Sequence, residues 1–223
     1  MEYSILNRPV FTTLTVNLNS GETLKAEAGS MVSMSSSIEL KSKTTGKGIG
    51  GMFKAAIGGE GLFSSEFTAL SPGEVVIAPP VPGDIIDLQI SGQTMFCQGG
   101  AYLAGSPDLE VSTQGSLKAL VSGEGLFLQK ISGTGDLFLS CYGAVTVKEL
   151  GAGETYIVDT GHMVAFEESV NYTIRKAAKG LMSTVLSGEG LTCEFSGPGK
   201  VWIQSRNIKG FAALISKLMP SSK

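Results

Sequence analysis

The sequence predicts an all-β chain with short helices, assembled from three tandem copies of one unit around a pseudo-threefold axis. Three observations predict it. Short glycine motifs recur in the same order three times, apolar and polar side chains alternate ahead of them, and the only long helical period comes at the very end.

The first motif is Gly21-Glu22-Thr23 with Gly29 beyond it, repeated as Gly92-Gln93-Thr94 with Gly100 and as Gly153-Glu154-Thr155 with Gly161. The second is Gly59-Glu60-Gly61-Leu62-Phe63, repeated from Gly123 and again from Gly188. The third closes each unit: Pro72-Gly73 before Val75-Val76-Ile77, Gly133-Thr134-Gly135 before Leu137-Phe138-Leu139, and Gly197-Pro198-Gly199 before Val201-Trp202-Ile203.

Each unit opens on an alternating run. Leu14-Thr15-Val16-Asn17-Leu18, Ile86-Asp87-Leu88-Gln89-Ile90 and Ala144-Val145-Thr146-Val147 carry the two-residue period of a half-buried strand entering a turn. Glycines at the fixed sites are expected to supply positive φ where a Cβ would clash. Apolar residues at helical spacing in Met52–Ile57, Ser116–Val121 and Leu181–Leu186 predict one or two helical turns ahead of each Gly-Glu-Gly. These turns are too short to stand without a sheet to pack on. The units are placed at 8–80, 81–142 and 143–206, with an amphipathic helix in 207–223 that carries Phe211, Leu214, Ile215 and Leu218 on one face. Without a Pro/Ser-rich linker between them, the units are expected to form one compact body.

Composition narrows the function classes. Hydrophobic residues make up 42% and charged residues 17%, which is a folded chain well outside the disordered class. So little charge suggests more buried surface than a monomer needs, as in an oligomer. A net charge of −3 and a pI near 5.3 argue against a phosphate-backbone binder. The clusters Lys41, Lys43, Lys47, Lys54 and Arg175, Lys176, Lys179 read as solvated faces. Cys97, Cys141 and Cys193 lack C-x-x-C spacing and read as packed, reduced thiols. Neither a signal peptide nor an apolar run of membrane-spanning length is visible, so a cytoplasmic location is expected.

Chemistry is sparse. His162 is the only imidazole and shares its repeat position with Ser30 and Ala101, the mark of a variable site rather than of a catalytic relay. No catalytic, cofactor-binding or metal-ligating residue is assigned, and no cofactor. Gly46-Lys47-Gly48-Ile49-Gly50-Gly51 satisfies G-x-G-x-x-G formally. It lacks the βαβ setting of a dinucleotide site and reads as a glycine-rich insertion. Glu60, Glu124 and Glu189 could converge on a cation, or could each cap a turn; capping is the commoner use of such carboxylates. The terminal helix could rest on a membrane surface or dock on protein.

The Gly-Glu-Gly-Leu-Phe repeat, the Gly-Glu-Thr turn with its distant glycine, and the opening Tyr3-Ser4-Ile5-Leu6 resemble the AIM (altered inheritance of mitochondria) family from about Tyr3 to Ile215. The resemblance implies a TRAP-like fold, a short variant of the double-stranded β-helix, with three units in tandem and ring-like homotrimers. It implies no catalytic residues. The mitochondrial relatives are linked to inner-membrane organisation, but no basic, Ser-rich transit extension is visible in this sequence. The expectation is a non-enzymatic oligomeric scaffold or adaptor with peripheral membrane contact through the terminal helix. A small-ligand or RNA-binding ring is the alternative, and a carboxylate-dependent enzyme the second.

Overall fold

The computed structural model describes residues 1–43, 64–114, 127–176 and 191–219. The chain is mostly β-strand, as the alternation predicts. A leading strand, β1 (Glu2–Leu6), lies antiparallel on β2 and turns Tyr3 and Ile5 toward the core.

The first stretch then supplies β2 (Thr13–Leu18), β3 (Thr23–Glu27), β4 (Met31–Met34), β5 (Ile38–Lys43), β6 (Ser64–Ala69) and β7 (Gly73–Ile77). Two antiparallel triplets result: β7 runs between β2 and β4, and β6 runs between β3 and β5.

The second stretch holds β8 (Ile85–Ser91), β9 (Met95–Gln98), β10 (Tyr102–Gly105), β11 (Leu109–Gln114) and β12 (Leu128–Ser140). Here one 13-residue strand takes both central places. Its second half runs between β8 and β10, its first between β9 and β11.

The third stretch returns to six strands, β13 (Val145–Leu150), β14 (Thr155–Asp159), β15 (Met163–Glu167), β16 (Asn171–Lys176), β17 (Leu191–Ser196) and β18 (Gly199–Gln204). β18 runs between β13 and β15, and β17 between β14 and β16. The chain ends in α1 (Ile208–Leu218), capped by Asn207, whose side chain accepts from the Lys209 and Gly210 amides.

The continuity of β12 has a local cause. Prolines at Pro72 and Pro198 remove a backbone donor where the other two stretches break between strands. Gly133-Thr134-Gly135 keeps its donors and bends without breaking, with φ of 114° and 134° at the two glycines. Any side chain at Gly133 would strike the Asp108 carbonyl, and one at Gly135 the Ser106 side chain.

The first turn of each stretch follows the expected chemistry. Gly21, Gly92 and Gly153 take φ of 85°, 94° and 77°. The residue after each closes the turn: Glu22 accepts from the Asn19 amide, Gln93 from Ser91 and Glu154 from Gly151. Gly161 departs from the expectation of positive φ. It is needed for close packing instead, since a Cβ there would collide with the Asn207 side chain.

Three cores stand out among the described residues, and the first two each borrow from the next stretch. The first packs Leu14, Leu24, Phe67 and Ile77 with Leu103 and Phe138. The second packs Ile90, Met95 and Leu137 with Val164 and Trp202. The third holds Phe166, Cys193, Phe195 and Val201.

The starts of the stretches also lie side by side. The Thr12 amide donates to Gly83 O, and the Asp84 amide to Gly143 O. Asp84 is buried there and is held by Arg8 Nε at 2.9 Å, by Thr12 and by the Ile85 amide. A buried carboxylate needs such partners, and these tie the leading segment to the second stretch.

Candidate functional site

Two junctions join the stretches, and both are built alike. At the first, β10 pairs antiparallel with β3, Ala104 opposite Ala26 and Gly105 opposite Lys25. At the second, β15 pairs with β9, Ala165 opposite Cys97 and Phe166 opposite Phe96. Phe96 and Phe166 stack there with ring centroids 5.3 Å apart. In each case the third strand of one stretch joins the second strand of the stretch before it.

That rule leaves two strands over. Among the described residues, no earlier stretch pairs with β4 and no later one with β14. β4 ends the sheet β1-β2-β7-β4, and β14 ends the sheet β14-β17-β16. Burial follows pairing. Val32 of β4 is 57% exposed, whereas its counterparts Leu103 and Val164 are 0% and 1%. On β14, Ile157 is 62% exposed, and Tyr156 is exposed where its counterparts Leu24 and Met95 are buried. Among the described residues, no strongly exposed large apolar side chain falls between 71 and 146. They gather instead on the first stretch (Leu6, Val10, Phe11, Met31, Val32, Met34, Leu40, Leu70), on the third (Val147, Tyr156, Ile157, Tyr172) and on α1. The middle stretch, flanked on both sides, shows what a covered unit looks like. An unpaired apolar edge invites another strand.

The family model described as mitochondrial biogenesis AIM24 matches residues 3–206. The chain belongs to the AIM24 family. Within reach of this AIM24 chain is an uncharacterized protein of Streptococcus pyogenes serotype M6, 29% identical across 100% of this chain and 92% of the relative. The crystal structure of SPYM3_0169 from Streptococcus pyogenes superposes with a TM-score of 0.82 at 26% identity, covering 98% of this chain and 99% of that one.

The residues singled out in the AIM24 sequence are dispersed. Half-buried His162 turns its Nδ1 to Gln204 O at 2.8 Å, and Gln204 in turn donates to Gly161 O and accepts from the Tyr142 amide. That ring helps fasten a turn. All three cysteines are free and buried, Cys97 and Cys141 in the second core and Cys193 in the third. Burial pushes the Cys97 and Cys193 thiols up to about 12 and Cys141 to about 11, so each is protonated near neutrality and a poor nucleophile.

Lys41 pairs with Glu39 and Arg175 with Glu194, at 2.9 Å and 2.8 Å. Lys47, Lys54 and Lys179, the Gly46–Gly51 run, the short helical runs and the trio Glu60, Glu124 and Glu189 lie outside the described residues. Among the described residues, no group of three or more His, Cys, Asp and Glu side chains is close enough to hold a metal.

Two clefts flank the second junction, of about 650 and about 420 Å³. The larger lies against Gln93, Glu167, Lys200 and Trp202. Its polar side chains serve the fold: Gln93 closes its turn and Glu167 accepts from the Lys200 amide at 2.9 Å.

One acid beside the first junction stands apart. Burial pushes Glu27, the last residue of β3, up from 4.5 to about 7. Its counterpart Gln98 donates to Thr160 O across the second junction at 3.3 Å. The folded chain therefore binds the Glu27 proton more tightly than the unfolded chain does. That stabilisation is complete below about pH 4.5 and is lost as pH rises through about 7. Glu27→Gln is expected to remove this dependence and to be more stable than the native chain at pH 8 by about 1 kcal/mol, the full shift being discounted for partial exposure. Urea melts of both proteins at pH 5 and pH 8 check it.

Proposed function

We propose that the protein is a non-enzymatic scaffold of three tandem TRAP-like units that works as an assembly of several copies, three in the closed ring. The supporting observation is the uneven burial: side chains covered in the middle unit lie open at the two ends of the chain. A threefold axis inside one chain would bring β4 onto β14, yet each stands at the end of its own sheet. On this reading the rotation belongs to the ring, in which each unit follows the last by one repeated step. Light scattering with native mass spectrometry of the full chain is expected to report a multiple of the 23.2 kDa chain mass. A single-chain mass at the highest soluble concentration would rule out the scaffold.

A second reading concerns α1. Every residue of the helix is exposed, and Ile208, Phe211, Leu214, Ile215 and Leu218 offer an apolar face beside Lys209 and Lys217. Phe211 meets the edge of the Tyr142 ring, 6.0 Å between centroids. Such a helix suits the surface of an anionic membrane. No helix among the described residues is long and apolar enough to cross one. Flotation with anionic liposomes is expected to carry the full chain and to leave behind a chain ending at Ile208. Equal behaviour of the two would dispose of the membrane contact.

A further inference from the structure

We infer that β4 of one copy adds antiparallel to β14 of the next, with Ser33 opposite Val158 and Met34 opposite Ile157. This deepens the scaffold reading and rests on it: it names the partner as a second copy of this chain, and it fixes polarity and register.

The two internal junctions supply the template. In both, the residue four beyond the motif glycine lies opposite the residue three before the preceding motif glycine: Ala104 (Gly100 + 4) opposite Ala26 (Gly29 − 3), and Ala165 (Gly161 + 4) opposite Cys97 (Gly100 − 3). The next residue in each strand continues the match, as Gly105 opposite Lys25 and Phe166 opposite Phe96. Counting from Gly29 and Gly161 in the same way places Ser33 (Gly29 + 4) on Val158 (Gly161 − 3) and Met34 on Ile157.

Side-chain chemistry agrees with the count. Met34 and Ile157 take the places of Phe166 and Phe96, an apolar pair for an apolar pair. Both are exposed in the single chain, at 37% and 62%.

The cores agree as well. Leu103 enters the first core and Val164 the second, each from the stretch that follows. Among the described residues, the third core receives nothing from a following stretch, and the counterpart side chain, Val32, stands open on β4. Val32 of the neighbouring copy fills that place. Because β4 and β14 differ, the contact is head-to-tail, and it can be repeated until the ring closes.

Directly opposed residues on antiparallel strands hold their Cα atoms at about 4.5–5.5 Å, within disulfide range. Met34→Cys and Ile157→Cys chains carrying different tags are co-expressed, purified together, sized and mildly oxidised. The native thiols are buried and do not compete.

A disulfide-linked pair of twice the chain mass, joining one tag to the other, is expected in more than half of the material, and neither variant alone should form it. If the protein sizes as an assembly but gives no such link, or links Met34→Cys chains to each other, the register and the head-to-tail polarity are overturned while the scaffold reading stands. If it sizes as single chains, both fall together.

Discussion

Ile157→Glu is expected to reduce the assembly to single chains while leaving the far-ultraviolet circular dichroism of the protein unchanged. In the single chain the Ile157 side chain points to water, so a carboxylate there disturbs no core. Across the proposed contact it would face Met34, with Glu194 beside it on β17 and the nearby Arg175 already paired to Glu194. Burying an unpaired carboxylate costs several kcal/mol, and each 1.4 kcal/mol is tenfold in the association constant. Dissociation should therefore move by two or more orders of magnitude in concentration. Sedimentation velocity over a dilution series reads it directly. An unchanged mass at micromolar concentration would mean that β14 is not the contact.

Phe166→Ala should do the reverse: it should strike the fold of each chain. Phe166 is 1% exposed, stacks on Phe96, and lies 5.3 Å from Phe195 and 5.2 Å from Tyr172 by ring centroids. Its loss opens a cavity in the third core and removes the seam of the second junction. The expected cost is about 3–5 kcal/mol, a large part of the stability of an ordinary domain. Chemical denaturation should show a midpoint shifted far downward with a similar slope. Met34→Ala, at the matching position of the first stretch, should leave that midpoint unmoved in dilute single chains and weaken only the assembly. Two residues in the same structural place would then differ solely because one has its neighbour inside the chain.

That contrast also marks the limit of what the sequence reveals. The alternation Leu14, Val16, Leu18 announces a half-buried strand, and all three side chains are buried in β2. The recurring Gly-Glu-Thr turn is equally legible, because a positive φ and a carboxylate near free amides are local demands. Val32, Leu103 and Val164 are indistinguishable by the same reading: each is an aliphatic residue soon after a motif glycine. What separates them is the strand alongside, and one chain supplies that strand only to Leu103 and Val164. The edge signal lies in counting units, since three units in a row make two junctions and leave one half-junction at each end.

Other details depend on distant partners. Gly161 is fixed by Asn207, a residue of the terminal cap that no local pattern connects to it. His162 looks expendable among Ser30 and Ala101, yet its ring is anchored to the Gln204 carbonyl. The unbroken β12 turns on the second stretch lacking the proline that interrupts the other two, a difference that is visible in the sequence but easily passed over among matching glycines.

Hydrogen exchange on β4 and β14 tests the central claim most directly. If these strands are two halves of one seam, amides of 31–34 and 155–159 in the concentrated native protein should exchange as slowly as those of β10 and β15. The amides of the two strands that face away from β7 and β17 should become fast together in Ile157→Glu. Rapid exchange at both strands in a protein that sediments as an assembly would contradict the account.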